Sequence, residues 1–458
     1  MRKYGGYGGA RMSSPGNNKS ENMDVGLSLR WEPVDRAIRG WWDGDVQRAQ
    51  EAELRDAGKN AIWFVDEEHR RREKSGPAIE EHTLLFLPFP YISAGGSEAA
   101  FPEMYCWDIH FINMGLLLHG RLDMVRNHIL NHLSLIERFG MVLNGNRTYY
   151  LTRSQTPLLA AGIRQYHEQS ADNDMLARAY PVLVREYEQY WLAPHHATPT
   201  GLATNRDLGD PRLRPALAAE AESLDFTACY DGDVRCCVPL LLNSALVRYE
   251  ETMAWMAAEL RWPDKAEKWK ILASQRAATM RELCWDEQQG FFMEYQFMRK
   301  VRLQYRSLCA YWALWAGVAT AAQAKALVKN LSRFEHAFGL AQTDVAYPSP
   351  HPEFTWLQWG YPSGWAPMQM AVVEGLDRYG FHDDAKRIAE KYLTCLLNEY
   401  DRTGTFWEKY NVVEGNSVLP RERTPNVPLH GWTTAAAVWL GHRLFRPSAL
   451  AAESEETL

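Results

Sequence analysis

The sequence predicts an all-α protein in which helical hairpins close on themselves into an α/α toroid. Apolar residues recur three and four positions apart along most of the 458-residue chain, which is the spacing of amphipathic helices. Successive helical segments are separated by only a few residues that include Gly, Asp or Pro, so neighbouring helices are expected to form hairpins. An open solenoid would show self-similarity at a fixed period, and this sequence shows none, which favours the closed form.

The order of the predicted elements follows from this spacing. An exposed helix is expected first, at 46–57, where charged and small apolar residues alternate. Five helical pairs and a last helix follow: 107–118 with 123–139, 158–169 with 175–190, 236–260 with 265–282, 305–316 with 321–331, 365–379 with 383–400, and 432–444. Short strand-like stretches are expected at 62–65, 291–296 and 405–412.

The longest segments without helical spacing are expected to gather at one end of the toroid. They are 84–104, 196–232, 336–362 and 404–430. Binding residues tend to lie on loops that a rigid scaffold holds in place. The sequence therefore predicts the functional site among these loops.

Composition places the two ends of the chain outside the toroid. Residues 1–27 are rich in Gly, Ser and Asn and lack the apolar centre of a secretory signal, so a disordered tail is expected there. A second tail is expected at 447–458. Residues 28–446 are then expected to form a single domain.

Composition and charge also argue against several classes of function. The net charge of −7 gives no electrostatic footprint for nucleic acid. No apolar run approaches the ~18 residues that a membrane-spanning helix needs. The seven Cys lie mostly in apolar segments and match no zinc spacing, so reduced thiols in a cytoplasmic protein are expected. The sequence shows neither a phosphate-binding loop nor metal-ligand spacing, and we expect no metal and no cofactor.

The most informative loop reads NGNRTYYLTRSQTP, at 144–157, between two apolar stretches. It concentrates side chains that hydrogen-bond to hydroxyl-rich ligands, among them Asn144, Arg153 and Gln155. A small sugar is the ligand that this composition suits. The alternative is a solvated turn held by hydrogen bonds from side chains to the backbone.

Three further motifs accompany this loop in a fixed order. PEMYCWD lies upstream at 102–108, and QWGYPSGWAP at 358–367 and EKY at 408–410 lie downstream. Together the set resembles the α,α-trehalases, glycoside hydrolase family 37, over roughly residues 85 to 442. The resemblance implies an (α/α)6 barrel of six helical hairpins with short β-hairpins in its loops. It also implies an inverting hydrolase that splits trehalose into two glucose molecules.

Inverting glycoside hydrolysis needs one carboxyl group as acid and another as base, about 6.5–9.5 Å apart so that a water fits between them. The resemblance implies that Asp225, in ESLDFT at 222–227, is the acid. The family's motif is one residue longer there and contains a glycine and a tryptophan that this chain lacks. Capping of a helix is the alternative role for Asp225. Asp231 and Asp233 are nearby rivals for the acid.

The resemblance places the base ahead of the GWT motif at 431–433. Glu422 is the only carboxylate between Gly415 and Trp432, and we therefore prefer it to Glu414. Two flanking Arg would keep Glu422 ionised, as a base requires, although all three could equally be plain surface charge.

The remaining motif residues are expected to bind the substrate. Carboxylates and amides can bind adjacent sugar hydroxyls, an Arg donates from a planar fork, and Trp faces can pack on a sugar ring. For the Trp rings the alternative is core packing, and for Asp108 it is capping of the helix that begins there. Glu408 is expected in a support role, and its alternative is a buried pair with a Lys or an Arg. The expected residues are Trp107, Asp108, Asn144, Arg153, Gln155, Gln358, Trp359, Trp365, Glu408 and Trp432.

Three departures from the family pattern concern the leaving-group side. GGSEAAFPE at 95–103 has no Arg where the family has one, PRLRP at 211–215 lacks a Glu, and Gly360 stands where the family has aspartate. A related barrel enzyme acting on glucosylglycerate, mannosylglycerate or an α-gluco-oligosaccharide is therefore an alternative. An inactive sugar-binding helical protein is a second one. The sequence leaves the oligomeric state open.

Overall fold

A computed structural model of the chain describes residues 17–47, 61–62, 84–95, 101–209, 213–352, 355–420, 426–428 and 431–446. Most of these residues are helical. The helices in chain order are α1 (Asn17–Gly44), α2 (Cys106–Leu118), α3 (Leu122–Phe139), α4 (Leu159–Ser170), α5 (Asn173–Glu186), α6 (Pro215–Glu220), α7 (Leu240–Glu259), α8 (Pro263–Cys284), α9 (Trp312–Trp315), α10 (Ala321–Asn330), α11 (Ala366–Arg378), α12 (His382–Thr403) and α13 (Trp432–Phe445).

Six helices form an inner ring. Nearly every residue of α2 and α13 is buried, and a helix that is apolar all round belongs at the centre of a protein. Each inner helix packs against the next in the order α2, α4, α7, α9, α11 and α13, and α13 packs against α2. The ring is closed, so the predicted α/α toroid is confirmed.

The outer helices pack on the ring as antiparallel partners. α3, α5, α8 and α12 lie against the inner helices that precede them in sequence. α10 lies beside the turn that leads into α9, where Tyr311 Oη donates to the carbonyl of Leu327 at 2.9 Å. Since each inner helix is followed by an outer one, the inner helices all run in the same direction. Their amino-terminal ends therefore meet at one end of the barrel.

The sixth outer helix is α1, which packs on α13 and α12 from the opposite end of the sequence. Its buried residues recur three or four positions apart, which is one face of a helix: Leu27, Trp31, Val34, Ile38 and Trp42. The indole of Trp31 donates to the carbonyl of Ala437 at 2.9 Å. Gly441 makes this approach possible, because a Cβ there would lie 2.1 Å from the Trp31 ring.

A buried polar cluster fastens the same helix to the barrel. The indole of Trp42 donates to His119 Nδ1 at 3.0 Å, and His119 Nε2 lies 2.8 Å from Asp35 Oδ1. An indole nitrogen can only donate, so His119 Nδ1 accepts from Trp42. His119 Nε2 therefore carries the hydrogen and donates to Asp35 Oδ1. Burial by itself would raise the pKa of Asp35, but the hydrogen bond from His119 and the nearby His442, whose Nε2 lies 3.6 Å from Asp35 Oδ1, bring it below its usual value.

The amino-terminal boundary differs from the one that composition predicted. Helix α1 begins at Asn17, inside the expected tail at 1–27, and the proposed domain start at residue 28 falls within it. The reason is the apolar stripe of α1, which is buried against α13. The expected tail at 447–458 lies outside the described residues.

The strands are two or three residues long and pair within the loops, as the sequence predicted. In chain order they are β1 (Val46–Gln47), β2 (Ala61–Ile62), β3 (Leu84–Leu85), β4 (Tyr91–Ile92), β5 (Cys237–Val238), β6 (Trp285–Asp286), β7 (Phe291–Phe292), β8 (Tyr295–Gln296), β9 (Val301–Arg302), β10 (Glu335–His336), β11 (Gly339–Leu340), β12 (Ser363–Trp365) and β13 (Lys409–Asn411).

Two strand pairs bear on the predictions. β1 pairs with β4, so residues 46–47 form a strand, and the prediction that an exposed helix begins at residue 46 is wrong. Residues 48–57 of that predicted helix lie outside the described residues. β12 pairs antiparallel with β13 and sets Trp365 opposite Lys409. Among the described helices, none has both the length and the apolar composition needed to cross a bilayer.

Candidate active site

Several predicted site residues lie at the amino-terminal ends of the inner helices. Trp107 and Asp108 lie in the first turn of α2, Trp365 immediately precedes α11, and Trp432 is the first residue of α13. Asp225 lies in the loop that leads towards α7. Because the inner helices are parallel to one another, these positions share one end of the barrel.

Four Trp rings build an aromatic wall at this end. Trp359 stacks on Trp365 with the ring centroids 3.9 Å apart and the planes 15° from parallel. Trp107 contacts Trp359 at 5.4 Å and Trp432 at 5.8 Å, and Trp432 contacts Trp365 at 5.8 Å. All four rings are buried. The structure therefore shows core packing for these rings, and contact with a sugar stays a prediction.

Asp225 lies against this wall and is half-buried. The indole nitrogen of Trp359 donates to its Oδ1 at 3.0 Å, and Gln358 Nε2 lies 3.5 Å from the same oxygen. Burial raises the pKa of Asp225 above its usual value, and the negative charge of Glu408 acts in the same direction. The Trp359 hydrogen bond and the positive charge of Lys409 oppose the shift. The protonated form of this carboxyl group is therefore favoured over a wider pH range than in water.

The loop that carries Asp225 is held in a constrained conformation. Phe226 has a φ of +61°, in the left-handed region that a bulky side chain rarely adopts. Its carbonyl accepts from the backbone N–H of Gln358 at 2.9 Å, and Thr227 Oγ1 donates to the carbonyl of Trp359 at 3.2 Å. These contacts join the loop of Asp225 to the loop of Gln358 and Trp359 and fix their relative position.

Two buried carboxylates brace the same loop, and the sequence did not single them out. Glu220 accepts from the backbone N–H of Thr227 at 2.7 Å and lies 3.1 Å from His351 Nε2. Glu222 accepts from Tyr190 Oη and from the backbone N–H of Arg206 at 2.9 Å. Burial raises the pKa of Glu222 to about 7. Only the fold reveals such roles, because two of the partners, His351 and Tyr190, come from other parts of the sequence.

Asp108 is a second carboxyl group of this pocket. It is buried in the first turn of α2. Burial raises the pKa of Asp108 to about 8, and the negative charge of Glu408 contributes to the shift. Asp108 is therefore protonated at neutral pH, and a neutral carboxyl group can both donate to and accept from sugar hydroxyls.

Glu408 is the third carboxyl group and the one that carries a charge partner. Its Oε2 lies 2.7 Å from Lys409 Nζ, and its side chain is 15 % exposed. Its backbone carbonyl accepts from the indole of Trp432 at 3.1 Å. The charge of Glu408 acts on both Asp108 and Asp225, so the three carboxyl groups lie near enough to interact. Glu422, the predicted base, lies outside the described residues.

The three residues of the 144–157 loop that are expected to bind substrate, Asn144, Arg153 and Gln155, are all buried. Asn144 Nδ2 donates to the carbonyl of Ala221 at 3.0 Å, next to the loop of Asp225. Gln155 Oε1 accepts from the backbone N–H of Trp107 at 3.0 Å. Arg153 Nη1 lies 3.0 Å from Asp207 Oδ2, and both side chains are buried. The loop is therefore a braced part of the site rather than a solvated turn.

Lys409 and Asp207 are the charged partners of Glu408 and Arg153, and the sequence analysis named neither of them. The EKY motif places Lys409 beside Glu408, so this partner could have been read from the motif itself. Asp207 lies in the long 196–232 loop, but nothing near it distinguished it among 57 acidic residues.

Known proteins resemble this chain in sequence and in fold. The family whose sequence pattern it matches is Trehalase, over residues 43–232 and 218–438. The chain belongs to the trehalase family. A probable trehalase from Eremothecium gossypii is 32% identical over 435 residues, covering 81% of this chain and 58% of that protein. A cytosolic neutral trehalase from Kluyveromyces lactis is 30% identical over 408 residues, covering 74% of this chain and 53% of that protein.

This trehalase-family chain spans between half and three fifths of the length of these two relatives. Its fold matches that of the neutral trehalase Nth1 from Saccharomyces cerevisiae with a TM-score of 0.76 and 24% identity, over 92% of this chain and 95% of that one. A mannosylglycerate hydrolase from Thermus thermophilus, solved with glucose, matches with a TM-score of 0.57 and 16% identity, over 78% and 95%. Both structures share the barrel architecture with this chain.

Proposed function

We propose that this chain is a glycoside hydrolase that cleaves an α-glucosidic bond with inversion, with trehalose as its substrate. The observation that carries the proposal is the position of Asp225, a carboxyl group whose pKa burial raises, against a wall of four Trp rings. Trehalose is proposed because the relatives at 30–32% identity are named trehalases.

In the proposed reaction Asp225 is the general acid. Its proton passes to the glycosidic oxygen as the bond between that oxygen and the anomeric carbon breaks. A water molecule attacks the anomeric carbon from the opposite face and gives its proton to a carboxylate base. The products are a β-configured sugar and the free hydroxyl of the leaving group, and no covalent intermediate forms.

The base must be an ionised carboxylate that faces Asp225 across the bound sugar. Glu422 remains the proposed base on the strength of the family resemblance, and its contacts lie outside the described residues. Glu408 is the rival, because it pairs with Lys409 at 2.7 Å and its charge acts on Asp225.

The remaining residues would hold the cleaved glucose. The aromatic wall offers ring faces to the apolar face of a pyranose, and Asp108, protonated at neutral pH, can bind two hydroxyls. Gln155 uses its carbonyl oxygen on Trp107, so its Nε2 remains as a donor for a sugar oxygen.

A hydrolysis screen tests the activity and the leaving group together. The substrates are trehalose, glucosylglycerate, mannosylglycerate, maltose and kojibiose, and proton NMR of the fresh product gives the anomer. We expect glucose from trehalose, with the β-anomer appearing first. Preferential cleavage of a glycerate glycoside would move the assignment to the related barrel enzymes. An α-anomer as first product would exclude inversion, and no release from any substrate would favour the inactive sugar-binding protein.

Asp225→Asn tests the acid. General acid-base groups contribute about 10²–10⁴-fold to the rate, so we expect a fall of that size in kcat for trehalose with an unchanged melting temperature. Asp231→Asn and Asp233→Asn serve as matched controls and should stay near wild type, because Arg299 and Arg235 pair with these carboxylates at 2.6 and 2.7 Å. A loss confined to either control variant would transfer the role to that residue.

A comparison of Glu408→Gln with Glu422→Gln tests the base. We expect Glu422→Gln to lose about 10²–10⁴-fold in kcat, and sodium azide to restore turnover by forming a β-glycosyl azide. Azide can replace the water because it attacks without giving up a proton. If only Glu408→Gln shows the loss and the azide rescue, Glu408 is the base and the sequence-based choice is wrong.

We also propose a cytosolic location, because relatives from Kluyveromyces lactis and Beauveria bassiana are cytosolic neutral trehalases. Fractionation of cells that express the chain with a carboxy-terminal tag would test this. The tag should follow cytosolic markers, and recovery from the medium would contradict the proposal.

A further inference from the structure

The part of the barrel wall that α2, α3 and α4 form contains a small cavity. A volume of about 10 Å³ inside it is open to the centre of a water molecule. Cys106, His110 and Asn113 line it from α2, His132 from α3 and Gly162 from α4, and the rest of the lining is leucine and isoleucine. All the lining residues are buried, so the cavity lies in the interior of the protein.

Two histidines of this lining carry ring nitrogens that have no hydrogen-bond partner among the described residues. These atoms are Nδ1 of His110 and both ring nitrogens of His132. Burial lowers the pKa of both histidines to about 3, so both rings are neutral at neutral pH. A neutral imidazole has one nitrogen that donates and one that accepts. Since buried polar groups are costly to leave unpaired, these nitrogens call for a partner in the cavity.

Asn113 supplies a further donor to the cavity. The backbone N–H of Ile92 donates to His128 Nε2 at 2.9 Å, so His128 carries its hydrogen on Nδ1. That nitrogen lies 2.7 Å from Asn113 Oδ1 and donates to it. The carbonyl oxygen of the Asn113 side chain is therefore engaged by His128, and its Nδ2 remains as a donor.

A metal ion suits this cavity less well than water does. His110 and His132 are potential ligands, and Cys106 lies in the same lining. In the part of the chain that the structure describes, these three side chains do not bring three ligand atoms within 4.8 Å of one another. A water molecule both donates and accepts, so it can serve the mixed donors and acceptors of neutral histidines and an amide.

We propose that this cavity binds one water molecule, which bridges His110 on α2 and His132 on α3 and accepts from the amide of Asn113. Buried waters typically make about three hydrogen bonds to polar groups that would otherwise be unpaired, and about 10–15 Å³ is enough space for one. The water is part of the packing of α2, the helix that carries Trp107 and Asp108. This inference is independent of the proposed function, because it concerns a binding site within the fold.

Gly162→Ala tests the water site through the sign of a stability change. A Cβ at Gly162 would lie 3.7 Å from His110 Nδ1, which is an ordinary contact, and outside its own helix it would meet no other described atom within 4 Å. The methyl group therefore fits without a clash and takes the space of the water. Ala normally stabilises a helix relative to Gly, but here several buried polar groups lose their partner. We expect the melting temperature to fall by about 1 °C or more.

Gly40→Ala is the matched control for this substitution. Gly40 also lies inside a helix, α1, and a Cβ there would meet nothing within 4 Å. The variant should keep the usual gain of Ala over Gly, so its melting temperature should rise slightly. A rise of the same size in Gly162→Ala would mean that the cavity is dry, and the inference would be overturned.

A crystal structure at high resolution identifies the occupant directly. In the wild type we expect a single peak of electron density about 2.7–3.2 Å from His110 Nδ1 and from one ring nitrogen of His132, without anomalous scattering. The peak should be missing in Gly162→Ala. An empty cavity in the wild type, or a peak with the anomalous signal of a metal, would overturn the inference. Hydrolysis of a glycoside enters neither measurement, so failure of the proposed function would leave this result unchanged.

Discussion

A single indole links the aromatic wall to the candidate acid. Trp359 lies flat on Trp365 at 3.9 Å, and its N–H donates to Asp225 Oδ1 at 3.0 Å. A hydrogen bond to a carboxylate stabilises the charged form, so this contact limits how far burial can raise the pKa of Asp225. The stacked pair of Trp359 and Trp365 therefore also influences the pKa of Asp225.

Trp359→Phe removes this donor and keeps a ring for stacking. The ionised form of Asp225 then loses a hydrogen bond to a charged group, typically about 1.5–3 kcal/mol. We expect the alkaline limb of kcat/KM to move upward by about one pH unit, because the acid keeps its proton longer. The pH profile measures this, and a melting temperature close to wild type shows that packing survives. An unmoved alkaline limb would mean that the indole does not act on the acid.

The aromatic residues of the candidate site could be predicted from the sequence. The interactions among its carboxyl groups could not. The Trp residues occur in motifs, and a motif carries residue identity directly. The pKa of Asp108 depends on its burial in α2 and on the charge of Glu408, which is far away in the sequence. The motif at 408–410 contained both members of the ion pair, but nothing in it showed that their charges act on Asp225.

Among the helices, α1 depends on two close contacts with α13. Trp31 fits against Gly441, where any side chain would meet its ring, and it donates to the carbonyl of Ala437. The cluster of Asp35, His119 and Trp42 adds a buried polar attachment nearby. The docking of α1 is therefore specified by shape at one point and by hydrogen bonds at another.

Gly441→Ala should loosen this docking. A Cβ would lie 2.1 Å from the Trp31 ring, and forcing extra volume into a packed core costs about 1–3 kcal/mol, occasionally more. We expect a lower melting temperature and a red-shifted Trp fluorescence spectrum. Gly40→Ala is the control on the exposed side of α1, where a Cβ would meet nothing within 4 Å. It should raise stability slightly, by up to about 1 kcal/mol. Equal melting temperatures for wild type and Gly441→Ala would contradict the close contact.

The sequence predicted most inner and outer helices to within a few residues, but it missed α1. Its apolar stripe is diluted by charged residues, and Pro33 lies inside the helix, where proline normally argues against one. Its first turns also share the polar composition of the segment before it. Tertiary packing on α13 overrides these local signals, and no pattern within 17–44 reveals that partner.

Across the whole molecule, buried ionisable groups fall into two sets with opposite effects on stability. Among the described residues, burial raises the pKa of several acids, including Asp108 to about 8, Glu186 to about 7, Glu222 to about 7 and Glu294 to about 8. Burial lowers the pKa of several histidines, including His110, His128 and His132 to about 3, and His195 and His196 to about 4.

These shifts predict a plateau of stability between about pH 4.5 and 6.5. Below about pH 4.5 the histidines of the unfolded chain bind protons, whereas the buried histidines of the folded chain stay neutral. The free energy of unfolding therefore falls as the pH falls through the folded pKa values. Above about pH 6.5 the unfolded acids are ionised while the folded ones keep their protons, so stability falls as the pH rises towards 8. Within the plateau the two sets oppose each other. Calorimetry from pH 3 to 9 should show a broad maximum in melting temperature, and a melting temperature still rising between pH 6.5 and 8 would contradict this balance.

The pairing of α1 with α13 has a consequence for how the protein is made. Trp31 and Ala437 are separated by 406 positions in the sequence, yet they share a hydrogen bond. A ribosome adds about 5–20 residues per second, so α1 leaves it roughly 20–80 seconds before its partner is synthesised. During that interval its row of large apolar side chains is exposed to the cell. We therefore expect chaperones that hold nascent chains to bind the α1 segment first and to release it only when α13 emerges.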